Sequence, residues 1–162
     1  MAVAKKQTLT PPPTGYEEDG FLWHQEQVAL LRARRFDELD LENVIVEMED
    51  MGNEKRNALM SSYRVLMMHL LKWEFQPEKR SMSWYSTILR ERGNIEDRLQ
   101  ESPSLKTRRH ELLARAYKRA AREAAGETNM PRSAFPVTNR YTFEQLDDFD
   151  FLPGPAKPDP RD

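Results

Sequence analysis

Three imidazoles, His24, His69 and His110, stand far apart in the chain, and each lands on a different expected helix. Neutral imidazole nitrogen is a good zinc ligand, and three such ligands leave a fourth position open for water. With Glu47 as the base for that water, the set describes a histidine-based, metal-dependent hydrolase in a helical bundle. The spacing argues against it. No HxxxH or ExxH pair brings two ligands to one helix face, and His110 lies beside the cations Arg108 and Arg109. No metal and no cofactor are therefore expected, and no residue is assigned a catalytic role.

A second constellation is His69, Trp73 and Gln76, which share one flank of a helix at spacings of four and three, with Trp84 beyond the break at Pro77. An imidazole, an amide and two indoles could hold a small polar ligand or a partner's side chain. With Glu47 they form the candidate binding surface. The plainer alternative is packing, with both indoles buried and His69 making one hydrogen bond at the core boundary. A third group, Arg108, Arg115, Arg119 and Arg122, falls within about 60° on one helix. That stripe could track phosphates, with Tyr117 stacking on a base. Its plainer alternative is a solvated face or an internal partner for acids such as Glu47, Asp50 and Glu54, since Glu111 and Glu123 flank it.

These residues must be positioned by helices. The 3–4 spacing of Phe21, His24, Val28 and Leu31 predicts a helix over about 16–35. Asp40 can cap a second, in which Leu41, Val44, Ile45, Met48 and Met51 form an apolar stripe and Glu42, Glu49 and Asp50 face outward, with Gly52 as its end. Asn53 then opens a third helix, which runs to Phe75 and gathers Tyr63, Leu66, Met67, Leu70 and Trp73 within about 120°. A fourth is expected over about 82–101, weakened at Gly93, and a fifth over 105–125, stopped by Gly126. The stretch 141–152 reads as a short C-terminal helix with an anchoring turn.

Composition narrows the class. The 162 residues carry 25 basic and 27 acidic side chains, a net charge of −2, so no global attraction to nucleic acid or anionic lipid is built in. The longest apolar run, within Val65 to Leu71, is interrupted by His69 and is far below the roughly 20 residues of a membrane span. Zero cysteines exclude disulfides and thiolate chemistry. The start MAVAKKQTLTPPPT lacks the apolar core of a secretory signal, and a cytoplasmic address is expected. The reading is an all-α, up-and-down helical bundle of about five helices with a short C-terminal helix and disordered termini. One domain is expected over 16–153, between a disordered proline-rich arm (1–15) and a disordered tail (154–162).

The runs FDELDLENVIVEMEDMG (36–52), LMMHLLKWEFQPEKRSMSW (66–84), ESPSL (101–105) and YTFEQLDDFDFLP (141–153) resemble, in order, the bacterial family known as domain of unknown function 29. The resemblance covers roughly residues 16–153 and implies a helical fold without an assigned activity. Relatives commonly carry two adjacent acids in the second helix, where this chain has Val46 before Glu47. The functional expectation is a non-catalytic protein-binding or assembly module. Its partner is another protein rather than a membrane or nucleic acid, and a homo-oligomer stays open.

Overall fold

The computed structural model describes residues 13–161. All regular structure among them is helical: α1 (Gly20–Arg32), α2 (Leu41–Phe75), α3 (Met82–Glu101), α4 (Arg109–Thr128) and α5 (Phe143–Asp147), with four short 3-10 turns. No described helix is long and apolar enough to cross a membrane. The chain forms two compact units, one ending at Met51 and the other starting at Gly52, and α2 runs through both. Of the arm expected over 1–15, residues 1–12 lie outside the described residues. Thr14 donates to the Glu26 carboxylate through its amide and its hydroxyl.

The two helices expected on either side of Gly52 are one. A helix-stopping glycine takes a left-handed conformation, but the described glycine with positive φ is Gly154, and Gly52 simply continues the turn. A mid-helix glycine costs about 1 kcal/mol relative to alanine, and that is too little to break a 35-residue helix. Gly126 is likewise helical. The left-handed residue that ends α4 is Asn129, with φ 55°, whose amide reaches back to Ala125 O and Gly126 O. The expected caps at Asp40 and within 141–152 are present: Asp40 accepts from Asn43 N, and Thr142 and Gln145 form a reciprocal capping box on α5.

In the first unit α1 and the start of α2 are antiparallel: Tyr16 bonds Glu47, while Gln27, further along, bonds Asp40. Among its described residues Trp23 is the one buried large apolar side chain. The second unit holds the main core, in which Leu59, Tyr63, Leu66, Met67, Leu70 and Trp73 of α2 are buried as their spacing predicts. Against them lie Ile88, Ile95 and Leu99 of α3 and a small-residue face of α4, Ala116, Ala120, Ala121 and Ala124. Partners on α2, or just after it, and on α4 rise in number together: Arg64 with Glu123, Lys72 with Glu127, Gln76 with Thr128. These helices therefore run the same way, with α3 returning between them.

Three arginines tie the C-terminal segment to this core. Arg92, 2% exposed, donates to the carbonyls of Gln145, Leu146, Phe149 and Phe151, using the fork of donors that only guanidinium offers. Arg80 stacks on Trp73 and donates to Trp73 O, Pro153 O, Pro155 O and Pro158 O. Arg109 bridges Tyr63 Oη at 2.6 Å and Asp147 Oδ1 at 2.5 Å, with its guanidinium over Phe143.

Candidate functional site

The first unit is held by polar contacts around one indole. Asp40 binds the Trp23 indole N–H at 3.1 Å, receives the Asn43 amide as the cap of α2, and has its own backbone N–H taken by Gln27 Oε1 at 2.9 Å. About two turns further along, on α2, Glu47 accepts from Tyr16 Oη at 2.6 Å and lies 3.3 Å from His24 Nε2. The other nitrogen of His24, Nδ1, lies 2.5 Å from Gly20 O. Both ring nitrogens thus face acceptors, which the doubly protonated imidazolium satisfies and either neutral tautomer does not. The Gly20 carbonyl first and Glu47 second hold the imidazolium above its ordinary range. The Glu47 carboxyl is held below its ordinary range by the Tyr16 hydroxyl and His24, and the Tyr16 hydroxyl is raised in return. Tyr16, His24 and Glu47 are thus bonded to one another and to Gly20, and the trio pins the hairpin together.

What the hairpin leaves open is apolar. Phe21, Val28 and Leu31 on α1, and Leu41, Ile45, Met48 and Met51 on α2, are 43% to 75% exposed. The second-helix stripe expected to enter a core is at the surface. Its register explains why: Glu47 meets His24 and Tyr16 from the side of α2 turned to α1, and Met48, Leu41 and Ile45 lie about 100° to 160° round from it. On α1, Trp23 and Gln27 hold the inner side, and Phe21, Val28 and Leu31 lie about 100° further round in the same sense. In an antiparallel pair, rotations in the same sense bring both rows toward one side of the hairpin. A shallow cleft of about 400 Å³ runs along the α1 row past Phe21, His24, Gln25, Val28, Ala29 and Arg32.

The expected binding surface divides. Glu47 belongs to the first unit. In the second, Trp73 is 1% exposed and Gln76 is buried with its amide on Thr128 O at 3.1 Å. Half-buried Trp84 carries the Lys72 ammonium over its ring, and His69 is half-buried with Nδ1 on Val65 O at 2.9 Å. Burial pushes the His69 imidazole below its ordinary range. These four groups already have partners, and their geometry is that of packing.

The arginine stripe is exposed. Arg108 and Arg115 share Glu111, at 3.0 and 3.8 Å, Arg122 bonds Lys118 O, and Arg119 lines a polar cleft with Arg64 and Glu123. Tyr117 does not stand beside it as a stacking platform: it is buried, with its hydroxyl on Pro136 O. His110 rests edge-on against Phe143, and among the described residues no three His, Cys, Asp or Glu side chains gather as a metal site would need.

Sequence reasoning missed the buried Arg92, although a signal existed. It stands four residues after Ile88 and three before Ile95, inside the apolar row of α3, where a charged group must find partners. The open face carries a helical period, and period alone does not say which apolar row is covered.

The model of one protein family, described as domain of unknown function DUF29, matches residues 15–152. No curated protein and no solved structure matches the chain.

Proposed function

The chain belongs to the DUF29 family of domains of unknown function, and from that premise we propose that it is a non-catalytic protein-binding or assembly module working through the open face of its first unit. The observation that carries this reading is the row of seven large apolar side chains, from Phe21 to Met51, set on one side of a hairpin whose own interior is polar. Single exposed apolar residues are ordinary, whereas a contiguous row over two helices marks a surface that is covered in use. The hairpin has the means to present that row, because its shape is fixed by hydrogen bonds rather than by burying the row itself.

A photoreactive amino acid placed at Met48 or Phe21 should cross-link in the host cell to the same protein species. The same probe at exposed Glu101 should not. Equal labelling from all three positions, or none from Met48 and Phe21, would remove the reading.

A further inference from the structure

The charge around the open face says what kind of chain covers it. Residues 13–51 contain eleven carboxylates against three arginines, a surplus of eight negative charges in a protein whose total is only −2. Glu42 and Glu49 stand about 80° to 100° from Leu41 on α2, along the outer edge of the row. Both are exposed and make no ion pair among the described residues. Of the three arginines, Arg35 is already paired with Glu38. We propose that the face receives a basic amphipathic helix from a partner protein, with its apolar stripe on the Phe21–Met51 row and its lysines or arginines against Glu42 and Glu49. This rests on the interaction role above and names the chemistry of the partner.

The dimensions fit. From Phe21 to Leu31 and from Leu41 to Met51 the rows run ten residues, about 15 Å or three helical turns, so a partner helix of three to four turns spans them. Two adjacent rows on one side of an antiparallel pair make the groove in which a third helix packs, its apolar residues at i, i+3 or i+4 and i+7. At their observed exposures the seven side chains offer on the order of 700 Å², close to the roughly 800 Å² per partner of an ordinary specific interface.

Charge selects among the occupants. A second copy would bring the same surplus of eight negative charges against itself within a Debye length of about 8 Å, at a real cost to association. An anionic lipid surface meets the same repulsion. A basic helix is attracted over the same distance, and its cations find acids that have no internal partner.

The test uses the full chain and four synthetic peptides of about 18 residues. Three share one leucine heptad pattern and carry lysine, glutamine or glutamate at the flanking positions, and the fourth is the lysine peptide scrambled to destroy its amphipathic face. Fluorescence anisotropy should show the lysine peptide binding at least tenfold tighter than the glutamine, glutamate and scrambled peptides at low salt, with the preference over glutamate shrinking as salt rises. Ile45→Asp with Met48→Asp should abolish that binding while leaving the circular dichroism intact. Glu42→Gln with Glu49→Gln should remove most of the lysine preference and keep the apolar binding.

Equal binding of the scrambled peptide would overturn the proposal in favour of bare electrostatics. Equal or tighter binding of the glutamine or glutamate peptide would overturn the basic partner and leave the interaction face standing. Sedimentation showing self-association that Met48→Asp abolishes would replace the partner with a second copy. If no peptide binds and the chain sediments as a monomer, both the basic partner and the interaction role of this face fail.

Discussion

The guanidinium of Arg92 donates to the main-chain oxygen of Phe151 across 2.7 Å, joining α3 to a segment 59 residues further along the chain. Three more carbonyls depend on the same side chain, and they include Gln145 O and Leu146 O in the last turn of α5, where helical carbonyls lack their own partners. Removing the fork strands several acceptors, each worth about 1 to 3 kcal/mol when buried and unpaired. Arg92→Ala should therefore lower unfolding free energy by about 3 kcal/mol or more. Arg92→Lys should recover only a fraction, because one ammonium cannot reach four carbonyls in that geometry. Denaturant titration checks both, and a lysine variant as stable as the parent would show that charge alone, without the fork, holds the segment.

The arginine stripe of α4 offers a contrast, since its pairs lie in water. Exposed pairs such as Arg108 with Glu111 contribute little, typically below 1 kcal/mol. Arg115→Ala with Arg119→Ala is expected to change stability by no more than about 0.5 kcal/mol. Loss of several kcal/mol would mean that the stripe is structural. The same double variant on an immobilised RNA or DNA column decides the other alternative: if the parent is retained at physiological salt and the variant is not, the stripe binds phosphates.

Much of this architecture was legible. The α2 core positions from Tyr63 to Trp73 follow from their 3.6-residue period, and Asp40 follows from its place before an apolar row. Gly52 and Gly126 misled, because a glycine ends a helix only where the chain needs a left-handed residue, and that need is set by packing beyond the local sequence. The open face was illegible for a related reason. Leu41, Ile45 and Met48 carry the same period as a buried stripe, and only the contacts of Glu47 with Tyr16 and His24 show that a different side of α2 meets α1. Trp73 and Gln76 share a flank as the spacing implies, yet their packing against Arg80 and Thr128 comes from residues 7 and 52 positions away.

Two histidines should titrate on opposite sides of the ordinary imidazole value of about 6.5. His69, pushed down mainly by burial, has a folded value below its unfolded one, so its contribution is complete above about pH 6.5 and is lost as pH falls through the folded value. His24, raised by the Gly20 carbonyl and Glu47, contributes in full below about pH 6.5, and that contribution is lost as pH rises through its folded value. Imidazole proton resonances followed by NMR should give a midpoint below 6.5 for His69 and above it for His24. His69→Asn should flatten the decline in melting temperature between about pH 6.5 and 5. A His69 midpoint at or above the ordinary value would mean that its ring is solvated in the folded protein.

Local stability should divide at the boundary between the two units. Below Met51 the described large apolar side chains are mostly exposed and Trp23 alone is buried among them, whereas from Leu59 to Trp73 most of α2 is sequestered. A helix as short as the 13 residues of α1 is marginal without tertiary support, and the support here is a few hydrogen bonds around Trp23, Asp40 and Glu47. Amides of α1 and of residues 41–51 are therefore expected to exchange through local opening, at free energies several kcal/mol below those of residues 59–73. Native-state hydrogen exchange on the full chain should show protection rising along α2 from Leu41 to Leu59, although the helix itself is unbroken. Equal protection at both ends would mean that the hairpin is stabilised by something other than its own contacts. Filling the open face with the lysine peptide should then raise protection in α1 and residues 41–51 selectively, because a ligand that binds only the closed hairpin stabilises it in proportion to RT ln(1 + [L]/Kd).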